Sequence, residues 1–373
     1  MADPSSFRLF LHVQTGSADG DLRGWRERYG VVPAWVKVFG REHCAEVKGI
    51  DPRVGTLLRY QELSEDDRYL AGPQAGRDFV TAAKERSGGT FDDVDALEFM
   101  NEKIAFDDVA ALEANNAAAL GFVEACAAER VRPVIHNAAF ANPRPDLIAH
   151  LAPSIQAALD AGGYFACHCY GPADLFDSAA YYVECYLAQL RELARAGVNV
   201  PPERVLITEF GHDVVSDPNY KLRSGAWRKL GLSPSHLQQE YVAYEAALAQ
   251  HGIAGAFMYN VYGYPGDEYE LFPSLRDWYG QQLDAHRGQG PQPVHIPPAV
   301  QTLYAIGQPF SNLRSAPQIS PDTVIASVYP GAPVECLEQQ GSWCQVRIHA
   351  TAGGARVDVT GWMHVSVLAP EPP

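Results

Sequence analysis

Arg204-Val-Leu-Ile-Thr-Glu-Phe-Gly211 is an almost unbroken apolar run that closes on a carboxylate. Such a run reads as a strand buried on both faces of a parallel sheet. Past Pro234 a helical period takes over, with Leu237, Tyr241, Tyr244 and Leu248 on one stripe. Ser235 and Gln238 stand at capping-box spacing at its start. Ala254–Gly263 (AGAFMYNVYG) then reads as the next strand.

The same alternation extends back to the beginning of the chain. Phe7–Gln14, Ala34–Gly40, Thr56–Glu62, Ala96–Glu102, Arg132–Phe140 and Tyr164–Gly171 all read as strands. Val109–Glu129 carries a helical pattern opened by Asp107 and Asp108. Ser178–Arg195 carries another, with Asp177 or Ser178 as its cap and Val183, Tyr186, Leu187, Leu190 and Leu193 on one side. Eight strand–helix repeats over roughly 280 residues predict an α/β fold, the (β/α)8 TIM barrel. A doubly wound open sheet is the competitor, and it usually carries a glycine-rich phosphate loop after its first strand. Thr15-Gly-Ser-Ala-Asp-Gly-Asp21 is not such a loop.

The 373 residues are 47% hydrophobic and 20% charged, enough to bury a sizeable core. The net charge of −16 (29 basic against 45 acidic residues) repels phosphate backbones and anionic lipid. The expectation is therefore no nucleic-acid partner. No apolar run reaches transmembrane length, so no membrane insertion is expected. Seven scattered cysteines exclude a dense disulfide scaffold. Met1-Ala-Asp-Pro-Ser-Ser6 lacks a basic region followed by an apolar stretch, so no signal peptide is visible there.

Composition shifts near residue 285. Arg287–Pro298 (RGQGPQPVHIPP) reads as linker, giving a catalytic-type domain 1–284, a linker 285–298 and a small all-β barrel 299–373. The last piece has short strands at Val324–Val328, Pro333–Leu337, Trp343–Ile348 and Thr360–His364. Its three arginines and five carboxylates give −2, which leaves −14 on the first domain.

A barrel expects its chemistry where strands end. The fourth strand ends in Asn101-Glu102 and the seventh in Thr208-Glu209-Phe-Gly211. A carboxylate closing an apolar strand is costly without a task or a partner. Two facing carboxyl groups suit glycosidic-bond cleavage, in which one gives a proton and the other stays ionised. His168 and Tyr170 share one side of the sixth strand by its period of two. The same alternation turns Cys167 and Cys169 away from His168, so no zinc site is expected. No metal, no cofactor and no serine elbow of the G-x-S-x-G kind are expected either.

With these motifs in place, residues 7–279 resemble the clan A glycoside hydrolases, the retaining four-seven superfamily of (β/α)8 barrels. The resemblance implies a retaining enzyme with a carbohydrate substrate. It makes Glu102 the acid/base, Glu209 the nucleophile, and Asn101 a ligand of the sugar hydroxyl beside the reacting carbon. It places Arg59, His168 and Tyr170 around the nucleophile and the sugar. The chain departs from the pattern at Lys103, where many members have proline, and in an eighth strand without tryptophan. Tyr259, Asn260 or Tyr262 substitutes there, or Trp227 reaches in from the loop after the seventh strand. Trp25, Trp35, Trp227, Tyr262 and Tyr264 are the candidate stacking rings, Trp227 first. A catalytically inactive carbohydrate- or cell-wall-binding barrel is the alternative.

The tail is similar to a bacterial SH3-like domain through Asn312-Leu-Arg314, Trp343-Cys-Gln-Val-Arg347 and Gly361-Trp-Met-His364. That resemblance implies a cell-wall peptide or glycan as partner. It also implies an extracellular or cell-surface location, with the cytoplasm as the alternative. Cys336 and Cys344 fall on strands that can pair, and the register decides whether they bridge.

Overall fold

The structure is a computed structural model that describes residues 7–13, 19–139, 142–171, 185–212, 232–262, 273–286, 301–305, 311–318, 324–328, 332–340, 342–350 and 356–369. The chain divides into two compact units, Met1–Gln292 and Pro293–Pro373.

The first unit is a closed parallel barrel. Its strands are β1 (Leu9–Val13), β2 (Trp35–Phe39), β3 (Gly55–Arg59), β4 (Ala96–Glu98), β5 (Arg132–Ala138), β6 (Tyr164–Gly171), β7 (Val205–His212) and β8 (Gly255–Tyr262). Each strand pairs with the next, and β8 returns to β1 with Phe10 opposite Phe257. One expected strand is too long: β4 stops at Glu98, not at Glu102. Beyond Glu98 only a single parallel bridge remains, Asn101 to Asn137, and Glu102 then turns left-handed at φ 51°.

Two helix starts follow from their caps. The helix Val109–Glu129 begins as expected, with the Asp108 carboxylate accepting from the Ala111 amide at 3.1 Å. In the helix Pro234–His251 the cap is Ser233, whose hydroxyl accepts from the His236 amide at 3.2 Å. Pro234 fills the first turn, where its missing N–H costs nothing, so Ser235 lies inside the helix rather than capping it. A third helix spans Cys185–Arg195. The cap candidates Asp177 and Ser178 lie outside the described residues.

The period of two sorts the barrel into faces. Leu9, Leu11, Val36, Val38, Leu58 and Leu97 point outward into the core shared with the helices. Phe10, Trp35, Leu57, Ala96, Val134, Tyr164, Ala166, Leu206 and Phe257 form a separate apolar cluster inside the barrel. Two residues further along β1, β2, β3, β4 and β6, the same inward direction carries His12, Lys37, Arg59, Glu98 and His168, all buried. The barrel interior thus changes from apolar to charged within one pleat. In β5 a left-handed His136 (φ 62°) and a register shift break the alternation. His136 packs outward on Ser154 (2.7 Å), and Asn137 takes the inner position.

Trp35 therefore belongs to the apolar interior, with the Arg132 guanidinium 4.8 Å from its ring centroid. Trp25 is buried against Tyr279. Both fill core, which corrects their reading as sugar-stacking rings.

The second unit is a seven-stranded sheet built from β9 (Gln301–Ala305), β10 (Ser311–Arg314), β11 (Val324–Val328), β12 (Pro333–Gln340), β13 (Trp343–Ala350), β14 (Arg356–His364) and β15 (Leu368–Ala369). The order is β11-β10-β14-β13-β12-β9-β15, and every pairing is antiparallel. Leu313, Val334, Cys344, Val346, Ile348 and Met363 make its core. The register sets Cys336 opposite Val346 and Cys344 opposite Gln339, and no disulfide joins the two. Most of the expected linker, 287–298, lies outside the described residues. Among the described residues, no helix is long and apolar enough to cross a membrane.

Candidate active site

Glu209 stands near the end of β7 with its side chain 7% exposed. Such burial would be prohibitive for an unpartnered carboxylate. Three donors and an imidazole surround it. Arg59 donates to Oε1 from Nη1 at 2.7 Å, and Lys37 donates to the same oxygen at 3.3 Å. The Tyr170 hydroxyl donates to Oε2 at 2.7 Å, and His168 Nδ1 lies 3.5 Å from that oxygen. Burial pushes the carboxyl pKa up, but the charges of His168, Lys37 and Arg59 together outweigh it and hold the group well below the ordinary carboxylate range. Tyr170 is driven the other way: burial first, then the Glu209 charge, raise its hydroxyl well above the ordinary tyrosine value. It remains a donor.

Glu102 has a contrasting environment. Its side chain is 41% exposed, and its left-handed backbone donates its amide to the Asn137 carbonyl at 2.9 Å. Oε1 lies 2.8 Å from His168 Nδ1, so one imidazole nitrogen faces both carboxylates. Ligand atoms of Glu102, His168 and Glu209 all fall within 4.8 Å of one another. A cation could bridge such a spacing, but Arg59 and Lys37 already neutralise Glu209 and weaken that pull.

The remaining expected residues sort cleanly. Asn101 is beside Glu102, with its Nδ2 donating to Glu65 Oε1 at 2.9 Å. Arg59 donates to the same Glu65 oxygen at 3.0 Å, so Glu65 links the two. Burial opposes the Arg59 charge, yet Glu209, Glu98 and Glu65 raise its pKa above the ordinary arginine value. The Tyr259 ring meets Tyr170 edge-on at 6.0 Å and His12 at 5.1 Å. The structure thus brings Glu102, Glu209, Asn101, Arg59, His168, Tyr170 and Tyr259 to one end of the barrel. Trp227 and Tyr264 lie outside the described residues.

Sequence reasoning missed the layer beneath. Lys37 and Glu98 are both fully buried and pair at 2.9 Å. The signal was present: a lysine in the middle of Trp-Val-Lys-Val-Phe39, and a glutamate inside the expected strand Ala96–Glu102 that the structure shows to close β4. His12 was equally legible in Leu-Phe-Leu-His-Val13. Burial, then Lys37, lowers its pKa well below the ordinary histidine value, so it stays neutral. Thr208 and Asn137 tie β7 to β5 through a 3.0 Å hydrogen bond, and Asn137 Nδ2 donates to the Met100 carbonyl at 3.2 Å.

Among solved structures, the chain is similar to a beta-mannanase from Thermomonospora fusca, at 15% identity over 74% of this chain and 89% of that chain, with a TM-score of 0.42. It is similar to the catalytic domain of a mannanase from Streptomyces sp. SirexAA-E, at 15% identity, 75% and 85% coverage and a TM-score of 0.45. A GH5 cellulase from an Icelandic hot spring isolate shows 11% identity, 75% and 89% coverage and a TM-score of 0.42. Identities and TM-scores this low assign no chemistry, which is read from the site's own atoms. No protein-family model matches the chain, and no curated protein does.

Proposed function

We propose that the barrel is a retaining glycoside hydrolase acting on an oligo- or polysaccharide. One observation carries the reading. A sunken, ionised Glu209 and a solvent-facing Glu102 present oxygens within 4.8 Å of each other at one end of the barrel. Double displacement works with carboxyl groups about 5–5.5 Å apart, whereas inversion needs roughly 6.5–9.5 Å to admit a water.

In the first step Glu209 Oε2 forms a bond to the anomeric carbon while the leaving oxygen departs with a proton from Glu102. In the second step water attacks that carbon, the Glu209–carbon bond breaks, and the water's proton returns to Glu102. His168 Nδ1, near both oxygens, steadies the pair while the proton moves. Tyr170 fixes Oε2 in line with the carbon. Asn101 contacts the hydroxyl beside the reacting carbon, and Tyr259 contributes a ring to the sugar site. We read the C-terminal sheet as an SH3-like accessory module for cell-wall peptide or glycan, and the protein as extracellular or cell-surface. The Asn312-Leu-Arg314 and Gly361-Trp362 motifs support that reading.

The test is hydrolysis of a panel of aryl glycosides and polysaccharides by the wild type, Glu102→Gln and Glu209→Gln. Release by the wild type that falls by roughly a thousand-fold or more in Glu209→Gln is expected. An aryl glycoside whose leaving group needs no proton should survive Glu102→Gln in its first step. Turnover that persists in Glu209→Gln overturns the mechanism. Binding without turnover in all three proteins would favour a barrel that only holds carbohydrate.

A further inference from the structure

Lys37 sits in the middle of β2, and its side chain is fully buried. An ammonium group has three protons to donate. All three find acceptors: Glu98 Oε1 at 3.0 Å, the Thr208 carbonyl at 3.2 Å and Glu209 Oε1 at 3.3 Å. Glu98 is also fully buried, and Arg59 Nη1 lies 4.0 Å from it. A structural ion pair needs only Lys37 and Glu98. This lysine reaches further, to the backbone just before Glu209 and to its carboxylate.

Resting on the assignment of Glu209 as nucleophile, we infer that Lys37, oriented by Glu98, is a positioning residue that holds Oε1 as the spectator oxygen and receives the charge returning when the glycosyl-enzyme breaks down. The two oxygens of Glu209 are unlike. Oε1 is held by two buried cations, and Oε2 faces Tyr170 and His168, on the side of Glu102. Attack therefore comes from Oε2, and Oε1 becomes the carbonyl oxygen of the ester. When water attacks the anomeric carbon, the electron pair of the breaking bond returns to the carboxylate and spreads onto Oε1. Lys37 and Arg59 stand there already, with no reorganisation required. The cations restrain the first step, in which Glu209 gives up its charge, and assist the second.

The charged and titratable groups around Glu209 come from six strands. They are His12, Lys37, Arg59 and Glu98 from β1 to β4, His168 and Tyr170 from β6, and Tyr259 from β8. Glu102 faces it from beyond β4. Replacing Lys37 and Glu98 together removes one charge of each sign and leaves every other member in place.

The experiment compares the wild type with Lys37→Met/Glu98→Gln, and with Lys37→Gln as a second variant that keeps a donor for the Thr208 carbonyl. Circular dichroism checks the fold. With an aryl glycoside carrying a good leaving group, the double variant should show a burst of phenol followed by a slow steady state. Both kcat and KM should fall by roughly ten-fold or more, with the burst rate less affected. In 13C-carboxyl NMR, the Glu209 signal, assigned by its loss in Glu209→Gln, should titrate at higher pH than in the wild type. A folded double variant with unchanged kcat, no burst and unchanged titration overturns the inference. If the wild type turns over no glycoside, the hydrolase reading falls and takes the kinetic role with it. The NMR arm then still decides whether Lys37 sets the charge of Glu209, and an unmoved titration rejects that too.

Discussion

Tyr170 donates to the carboxylate oxygen that Arg59 and Lys37 leave free, and that single hydroxyl aims the Glu209 lone pair. Tyr170→Phe keeps the ring packed on Tyr259 and His168. It is expected to lower kcat/KM by roughly ten-fold, with little change in melting temperature. The depressed pKa of Glu209 also has a stability consequence. A carboxyl more acidic in the folded state than in the unfolded chain contributes stability that is fully present above its ordinary value, about 4.3. That contribution is lost as pH falls towards the folded value. Urea midpoints should therefore show the largest advantage of wild type over Glu209→Gln above about pH 5, shrinking below about pH 4. Strand ends, strand period and the resemblance to clan A pointed in print to Glu102, Glu209, Arg59, His168 and Tyr170, and the structure gathers these five together. Lys37 and Glu98 escaped the sequence reading: Lys37 lies in mid-strand, and Glu98 is the true end of β4, hidden by an apolar run that continues to Met100. Aromatic composition was the poorest guide, since Trp25 and Trp35 look identical in print to a binding ring and pack as core.

At the scale of elements, the eight strands were readable because burial on both faces leaves a nearly continuous apolar run. The end of β4 was not readable, because Phe99 and Met100 continue the apolar run after the sheet pairing has nearly ceased. Nor did the sequence disclose how the helices Pro73–Arg86 and Val109–Glu129 approach each other. A Cβ on Gly76 would collide with the backbone of Ala118 and Phe122, and one on Gly121 with the backbone of Pro73. The two helices touch main chain to main chain, and neither glycine has space for a methyl group. Gly76→Ala and Gly121→Ala, though favourable by helix propensity, should each destabilise the fold by about 1–3 kcal/mol, measured by urea denaturation. A neutral or stabilising result would show that the helices can separate at no cost. By contrast, Asp108→Ala removes one cap and should cost only about 1 kcal/mol.

The described residues form three apolar clusters, two within the barrel unit and one within the C-terminal sheet. Scanning calorimetry should resolve two transitions, and a single sharp one would mean that the units unfold together. The paired charges of the barrel interior matter at this scale too. Lys37 and Glu98 should be far more sensitive singly than jointly: Lys37→Met alone strands the buried Glu98 carboxylate, at a cost of roughly 3–5 kcal/mol, whereas the neutral double replacement removes both charges of the pair. That abrupt change from apolar to charged within one pleat also acts during assembly. A strand displaced by two residues would preserve its inward and outward alternation, so hydrophobicity alone would not reject the error. Such a slip of β2 would carry Trp35 to the level of Lys37 and part the lysine from Glu98. The ionic layer is thus expected to penalise a slip that the apolar pattern alone would permit. Its neutral replacement should refold from urea with a larger misassembled, aggregating fraction than wild type, even where the native form that survives is just as stable.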